Sequence, residues 1–207
     1  MRNRPLSKKG RFGRFLGWFG NPWRNTLALA IRRQGDGAAM LYKGKSIANA
    51  FLLLASRDGQ SIDPLKLQKL LYFANGYYMA EHDGQPLINE YFEAWDYGPV
   101  APTVYYEFRE YKNGPIRRLA YTWQPSTKQM IVAPPPIGDA MADEVIGWVW
   151  ENYKGYSGGE LSNMTHKAGG PWDIARKKAL NSQMRNERLE FSDIHRHFAQ
   201  LIDAAAA

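Results

Sequence analysis

Hydrophobic positions recur at helical spacing through most of the chain beyond residue 40 and switch to alternation in two short places. In KSIANAFLLLASRDG, Ile47, Phe51 and Leu54 share one face, and Gly59 is placed to end the helix. SIDPLKLQKLLYFANGYYMAEHDG follows, with Asp63 as N-cap and Pro64 at the first helical position. Leu67, Leu70, Leu71, Ala74 and Tyr78 form its apolar stripe, and Gly84 closes it. The interior Gly76 costs about 1 kcal/mol relative to alanine, so its presence marks a close approach by another element. NEYFEAWDYGPVAP then alternates. Tyr91, Glu93 and Trp95 fall on one side and Phe92 and Ala94 on the other, as in a short strand, before a turn at Gly98 and Pro99. Pro102 opens a helix carrying Val104, Tyr105, Phe108 and Tyr111, with Gly114 as its stop.

LAYTWQPSTKQMIVAPPP reads as a hairpin, with Pro125 and Ser126 in its turn and Pro134, Pro135 and Pro136 ending the second strand. DAMADEVIGWVWENY returns to helix, capped by Asp139, with Met141, Val145, Trp148 and Val149 inward. SGGELSNMTHKAGGPWDIARKKAL predicts two short helices meeting at Gly169 and Gly170. Pro171 restarts the second helix, Trp172 is expected to drop into the core, and His166 to cap or bridge the corner by a hydrogen bond. FSDIHRHFAQLID forms the last helix, with Ser192 as cap and Ile194, Phe198 and Leu201 inward, and residues 204–207 fray as an alanine tail. The pattern defines a predominantly helical α+β single domain with a small β-hairpin and short strands over residues 40–203.

Charge separates this body from what precedes it. Residues 1–39 hold nine Lys/Arg and one acid, whereas the remaining 168 residues hold 18 basic and 19 acidic side chains. The net charge of +7 therefore belongs to the N-terminal stretch, and net charge gives the body no nucleic-acid surface. Three readings compete for residues 1–39: a basic aromatic arm for lipid or nucleic acid, a targeting peptide, or an upstream extension with Met40 as the natural start. The chain has no cysteine, which excludes disulfides, zinc–thiolate sites and thiol nucleophiles and fits a reducing, cytoplasmic compartment. No run of eighteen apolar residues is present to span a membrane.

The sequence offers little to catalysis. His195 and His197 are two apart on a helix and diverge, and His82 and His166 lie far from them in sequence, so no metal site is expected. Thr165 and His166 are adjacent and do not face one another as a dyad. No nucleophile elbow occurs, and Gly44-Lys45-Ser46 lacks the first P-loop glycine because position 39 is Ala39. Glu81, Asp83, Glu90, Glu93 and Asp96 contain no pair that spacing selects as acid and base. The reading is a non-enzyme without cofactor, metal or small-molecule substrate.

Two separated motifs point further. The Leu67-Gln68-Lys69-Leu70-Leu71-Tyr72 helix with Glu93-Ala94-Trp95 and Gly98-Pro99-Val100 comes first, and Leu161-Ser162 with Thr165-His166 before Pro171-Trp172 follows. In this order and spacing, residues 45–176 resemble the SocA-like antitoxin family, whose shared region is the Panacea domain and which includes sequences of the phage-associated type. The resemblance implies neutralisation, by direct protein–protein binding, of a cognate protein toxin encoded by the adjacent gene. Family members stand beside unrelated toxins, including small alarmone synthetases and inhibitors of translation or replication. It assigns Leu67, Gln68, Lys69, Tyr72, His166, Pro171 and Trp172 to the family motifs. Interface energy concentrates in Trp, Tyr and Arg, so Trp95, Asp96, Tyr97 and Pro99, with Tyr105 and Tyr106 nearby, are the expected contact residues. The rival class is an adaptor for nucleic acid or membrane that uses the basic N-terminal arm.

Overall fold

A computed structural model describes residues 41–136, 138–182 and 186–206; residues 1–39, with the readings made for them, lie outside the described residues. Helices α1 (Gly44–Arg57) and α2 (Pro64–Glu81) are followed by strands β1 (Glu93–Trp95) and β2 (Gly98–Val100). Helix α3 (Pro102–Phe108) runs into a 3-10 turn at Arg109–Tyr111, and the hairpin β3 (Tyr121–Gln124) and β4 (Gln129–Val132) comes next. Helices α4 (Ala140–Tyr153), α5 (Gly158–Thr165), α6 (Pro171–Asn181) and α7 (Phe191–Ala206) complete the chain. This is a predominantly helical α+β domain with two small antiparallel two-stranded sheets.

Helix α2 is the axis. Its N-cap is Asp63, whose side chain accepts from the Lys66 N–H at 2.8 Å, with Pro64 at the start. The other helices α1, α3, α4, α5 and α7 and strand β2 all pack on it, so it is buried on nearly every side rather than along one stripe. Gly76 has the close approach that its cost implies. A Cβ there would stand 2.2 Å from the Phe198 ring, so only glycine lets α7 lie against α2. Phe198 in turn meets Tyr72 edge-on at 5.4 Å, and Tyr72 meets Phe92 at 5.6 Å.

Polar side chains inside this apolar packing are used to hold loop backbone. Asn75 is fully buried and accepts from the N–H groups of Leu87 and Ile88, both at 3.0 Å. Asn49 of α1, also fully buried, donates to the carbonyls of Ala120 (3.1 Å) and Ala133 (2.7 Å) and accepts from the Ala120 N–H (2.7 Å). It therefore grips both ends of the β3–β4 hairpin at its base. Such bonds matter because a buried backbone group left unpaired costs about 1–3 kcal/mol.

Several sequence expectations are corrected. Met141 is largely exposed at the first turn of α4, its sulfur 3.0 Å from His82 Nε2, because the inward face starts at Ala142. Helix α7 begins at Phe191, so Ser192 is inside it and the Glu190 carbonyl accepts the first N–H groups, from Asp193 and Ile194. The helix runs through the alanines to Ala206, where a fraying tail was expected. A third extended segment has no strand pattern in the sequence. The Ala94 N–H donates to the Glu187 carbonyl and the Leu189 N–H to the Phe92 carbonyl, both at 2.8 Å, so residues 187–189 flank β1 on the side away from β2.

Candidate protein-interaction site

Strands β1 and β2 pair Glu93 with Val100, Ala94 with Pro99 and Trp95 with Gly98, leaving Asp96 and Tyr97 as the two-residue tip. Gly98, at φ +95°, closes this tip in a conformation that side chains resist. The turn lies on helices α2, α5 and α6, and those helices hold it by its carbonyl oxygens. Arg176 of α6 donates to Ala94 O (3.3 Å) and Trp172 Nε1 to Trp95 O (2.8 Å). Ser162 of α5 donates to Tyr97 O (2.8 Å), and Lys69 of α2 to Pro99 O (2.8 Å). Gln68 then takes the Ala101 N–H at 2.7 Å and donates back to Ala101 O at 3.4 Å. With its backbone committed inward, the turn presents its side chains outward: Tyr97 is 72% exposed, and Asp96, paired to Arg176, is exposed beside it.

The motif residues thus form one construction. Gln68 and Lys69 of the Leu-Gln-Lys helix and Ser162 of the Leu-Ser helix support the turn from below. His166 ends α5 and stacks on the Trp172 ring, with centroids 3.9 Å apart. Trp172 is half-buried, and its ring lies on His166 so that its N–H reaches the turn; the core position expected for it is not where it sits. The hydrogen bond expected of His166 is replaced by that stacking. Its Nε2 is buried without a partner among the described residues. Pro171 starts α6 after Gly170, as predicted, and Tyr72 is in the core.

Of the six expected contact residues, five stand together on the surface. Trp95 meets Tyr105 edge-on at 4.7 Å, Tyr105 meets Tyr106 at 5.4 Å, and the Arg109 guanidinium lies 5.4 Å over the Tyr106 ring. Tyr106 is 58% exposed, and Trp95 and Tyr105 are half-buried. Pro99 is the exception. It is buried in β2, facing the helices, and offers its carbonyl to Lys69 instead of a surface to a partner. Ser162 and Arg176, which hold the turn, carry no signal for this in the sequence, because only the fold brings α5 and α6 to the turn.

Lys69 is the electrostatic oddity of the site. Burial pushes its ammonium down to about 7, and burial together with Lys69 pushes the His166 imidazole down. The folded protein therefore binds fewer protons at Lys69 than the unfolded chain between pH 7 and the ordinary lysine value of 10.5. Stability from this group rises with pH across that window and is flat below it. Lys69→Met removes the titration, so its melting temperature relative to the natural protein is expected to fall as the pH is raised from 7 to 9. Parallel thermal melts at the two pH values measure this, and an unchanging difference refutes it.

Among the described residues no group of three or more His, Asp and Glu is placed to hold a metal ion. None of their helices is long and apolar enough to cross a membrane. The family described as antitoxin SocA-like, Panacea domain, matches residues 67–173, which include the turn and most of the groups that hold it. Antitoxin SocA of Caulobacter vibrioides (strain NA1000 / CB15N) is 39% identical over 133 residues, covering 63% of this chain and 68% of that protein. No solved structure matches. The chain belongs to the SocA-like antitoxin family with a Panacea domain.

Proposed function

We propose that this protein is a non-enzymatic antitoxin that neutralises a cognate protein toxin, encoded by the adjacent gene, by binding it through the Tyr97 turn and the neighbouring face of α3. The carrying observation is the pinned turn. Side chains from three helices fix its carbonyls while Asp96 and Tyr97 project outward. A loop ordered before it meets its partner loses little conformational freedom on association, so more of the contact energy appears as affinity. Tyr97, Tyr106 and the half-buried Trp95 and Tyr105 supply the amphipathic rings that dominate interface energetics. Arg109 and the Asp96–Arg176 pair supply a charged rim.

Truncating both exposed rings tests this reading. Tyr97→Ala with Tyr106→Ala removes side chains that the core does not use, so the melting temperature should hold within a few degrees. Loss of about 2 kcal/mol or more, typical of hot-spot rings, weakens toxin binding roughly 30-fold. Growth rescue in cells expressing the toxin gene, and affinity for the purified toxin, are the readouts. Full rescue and unchanged affinity in the folded double variant sink the assignment.

A further inference from the structure

The β3–β4 hairpin carries an apolar face that the Tyr97 site does not use. In its register Tyr121 pairs with Val132 and Trp123 with Met130. All four side chains are exposed, Trp123 at 52% and Met130 at 56%. Partners directly across an antiparallel pair share a face, so these form one continuous strip.

The backbone along one side of this strip is also open. The Ala133 N–H donates to the Ala120 carbonyl at 2.8 Å, which fixes the alternation. Thr122–Ile131 and Gln124–Gln129 turn their backbone groups between the strands, and Tyr121, Trp123, Met130 and Val132 turn theirs outward. On the β3 side the outward groups of Tyr121 are taken: its N–H donates to Glu107 at 3.3 Å and its carbonyl accepts from Lys45 at 3.0 Å. On the β4 side the outward groups of Met130 and Val132 have no hydrogen-bond partner among the described residues. Folds usually blunt such an edge with charge, proline or a bulge, and QMIV has none of these.

Charge selects the occupant. Between Glu110 and Asp139 the sequence contains Lys112, Arg117, Arg118 and Lys128 and no carboxylate. Arg118 is neutralised by Glu107 and Glu110, whereas Arg117 and Lys128 carry no ion pair among the described residues. We infer that β4 is a docking edge for an extended segment of a protein partner, one that alternates apolar and acidic side chains and adds as a third strand. Its main-chain groups would pair with Met130 and Val132, and its apolar side chains would cover Trp123 and Met130. This surface stands on observations separate from those of the Tyr97 turn.

The test uses the full chain and a synthetic peptide of alternating Val/Ile and Glu, with a matched peptide carrying Lys in place of Glu. The acidic peptide is expected to bind and to shift the Met130 and Val132 amide resonances, with the Lys peptide at least tenfold weaker. Met130→Pro removes an outward donor that the hairpin itself does not use, and Trp123→Ala trims the exposed face. Each should weaken the acidic peptide about tenfold, while Tyr97→Ala should leave it unchanged. The inference is overturned if the acidic peptide does not bind at millimolar concentration, if both peptides bind equally, or if the shifts map elsewhere. Equal loss with Tyr97→Ala also overturns it. So does preferential binding of single-stranded DNA or phosphatidylglycerol vesicles, or a dimer formed through β4. Failure here leaves the toxin-binding assignment standing, and failure of that assignment leaves peptide binding to β4 intact.

Discussion

Gly98→Ala is expected to disable the protein more completely than removal of any exposed contact side chain. Gly98 sits at φ +95°, where a side chain costs about 1–2 kcal/mol on backbone grounds. A Cβ there would also lie 2.5 Å from Thr165 Oγ1 and 2.8 Å from Lys69 Nζ. Neither neighbour is free to retreat. Thr165 is buried with its hydroxyl bonded to the Ser162 carbonyl at 2.7 Å, and Lys69 is fully buried and tied to Pro99. Overpacking of this kind costs about 1–3 kcal/mol, so roughly 3 kcal/mol is expected in total. At about 2–4 °C per kcal/mol for a domain of this size, the melting temperature falls by roughly 10 °C. Toxin binding should fall with it, because the carbonyl contacts that aim Tyr97 cannot all survive the shift. Adding Thr165→Ala should restore the packing part and leave the backbone part. Natural stability and rescue in Gly98→Ala would mean that the turn is not held as described.

Asn49→Leu is the second large effect, and it acts on the hairpin. The change keeps the side chain's size while removing three hydrogen bonds to Ala120 and Ala133, deep in the fold. The Ala120 carbonyl still accepts from the Ala133 N–H, but the Ala120 N–H and the Ala133 carbonyl lose their partners. At about 1–3 kcal/mol for each stranded group, a loss of roughly 3 kcal/mol is expected, offset only in part by the added apolar contact. Urea denaturation measures the loss, and amide exchange at Ala120 should accelerate more than exchange at Leu70 in α2. Asn49→Asp is a sharper variant, because it keeps the acceptor for the Ala120 N–H but turns a carboxylate toward two carbonyls. Wild-type stability in both variants would show that the hairpin is held by its own ladder.

The toxin surface proposed above and the docking edge inferred above lie on separate parts of one frame, and the same design supports both. A buried polar side chain on a helix grips loop backbone, and the loop then projects aromatic side chains. Lys69 and Gln68 do this for the Tyr97 turn, and Asn49 does it for the hairpin. This accounts for Lys69 in a setting where an aliphatic side chain would otherwise be expected. Its removal from water is offset in part by the Pro99 carbonyl to which it donates.

The sequence by itself determined the helices, their starts at Asp63, Pro102, Asp139 and Pro171, the β3–β4 hairpin and the meaning of Gly76, whereas the turn it placed at Gly98 and Pro99 lies at Asp96 and Tyr97, with Gly98–Val100 as a second strand. Those features depend on local backbone preference and on periodicity, which a single chain displays directly. It also pointed to aromatics that the fold leaves at least partly exposed, since a proline-flanked turn with Trp and Tyr reads as a presented surface. Tertiary structure alone decided which way each side chain of that turn faced. Pro99 is buried in β2, and its carbonyl accepts from Lys69, thirty positions earlier in the chain. Trp172 stayed half outside the core because its indole N–H had to reach Trp95 O, seventy-seven positions away. The third segment at 187–189 has no signature in the sequence for the same reason: its pairing to β1 is long-range and carries no local signal. Hydrogen bonds between distant residues are fixed by how helices pack, and packing is a property of the assembled core that no local window of the sequence contains.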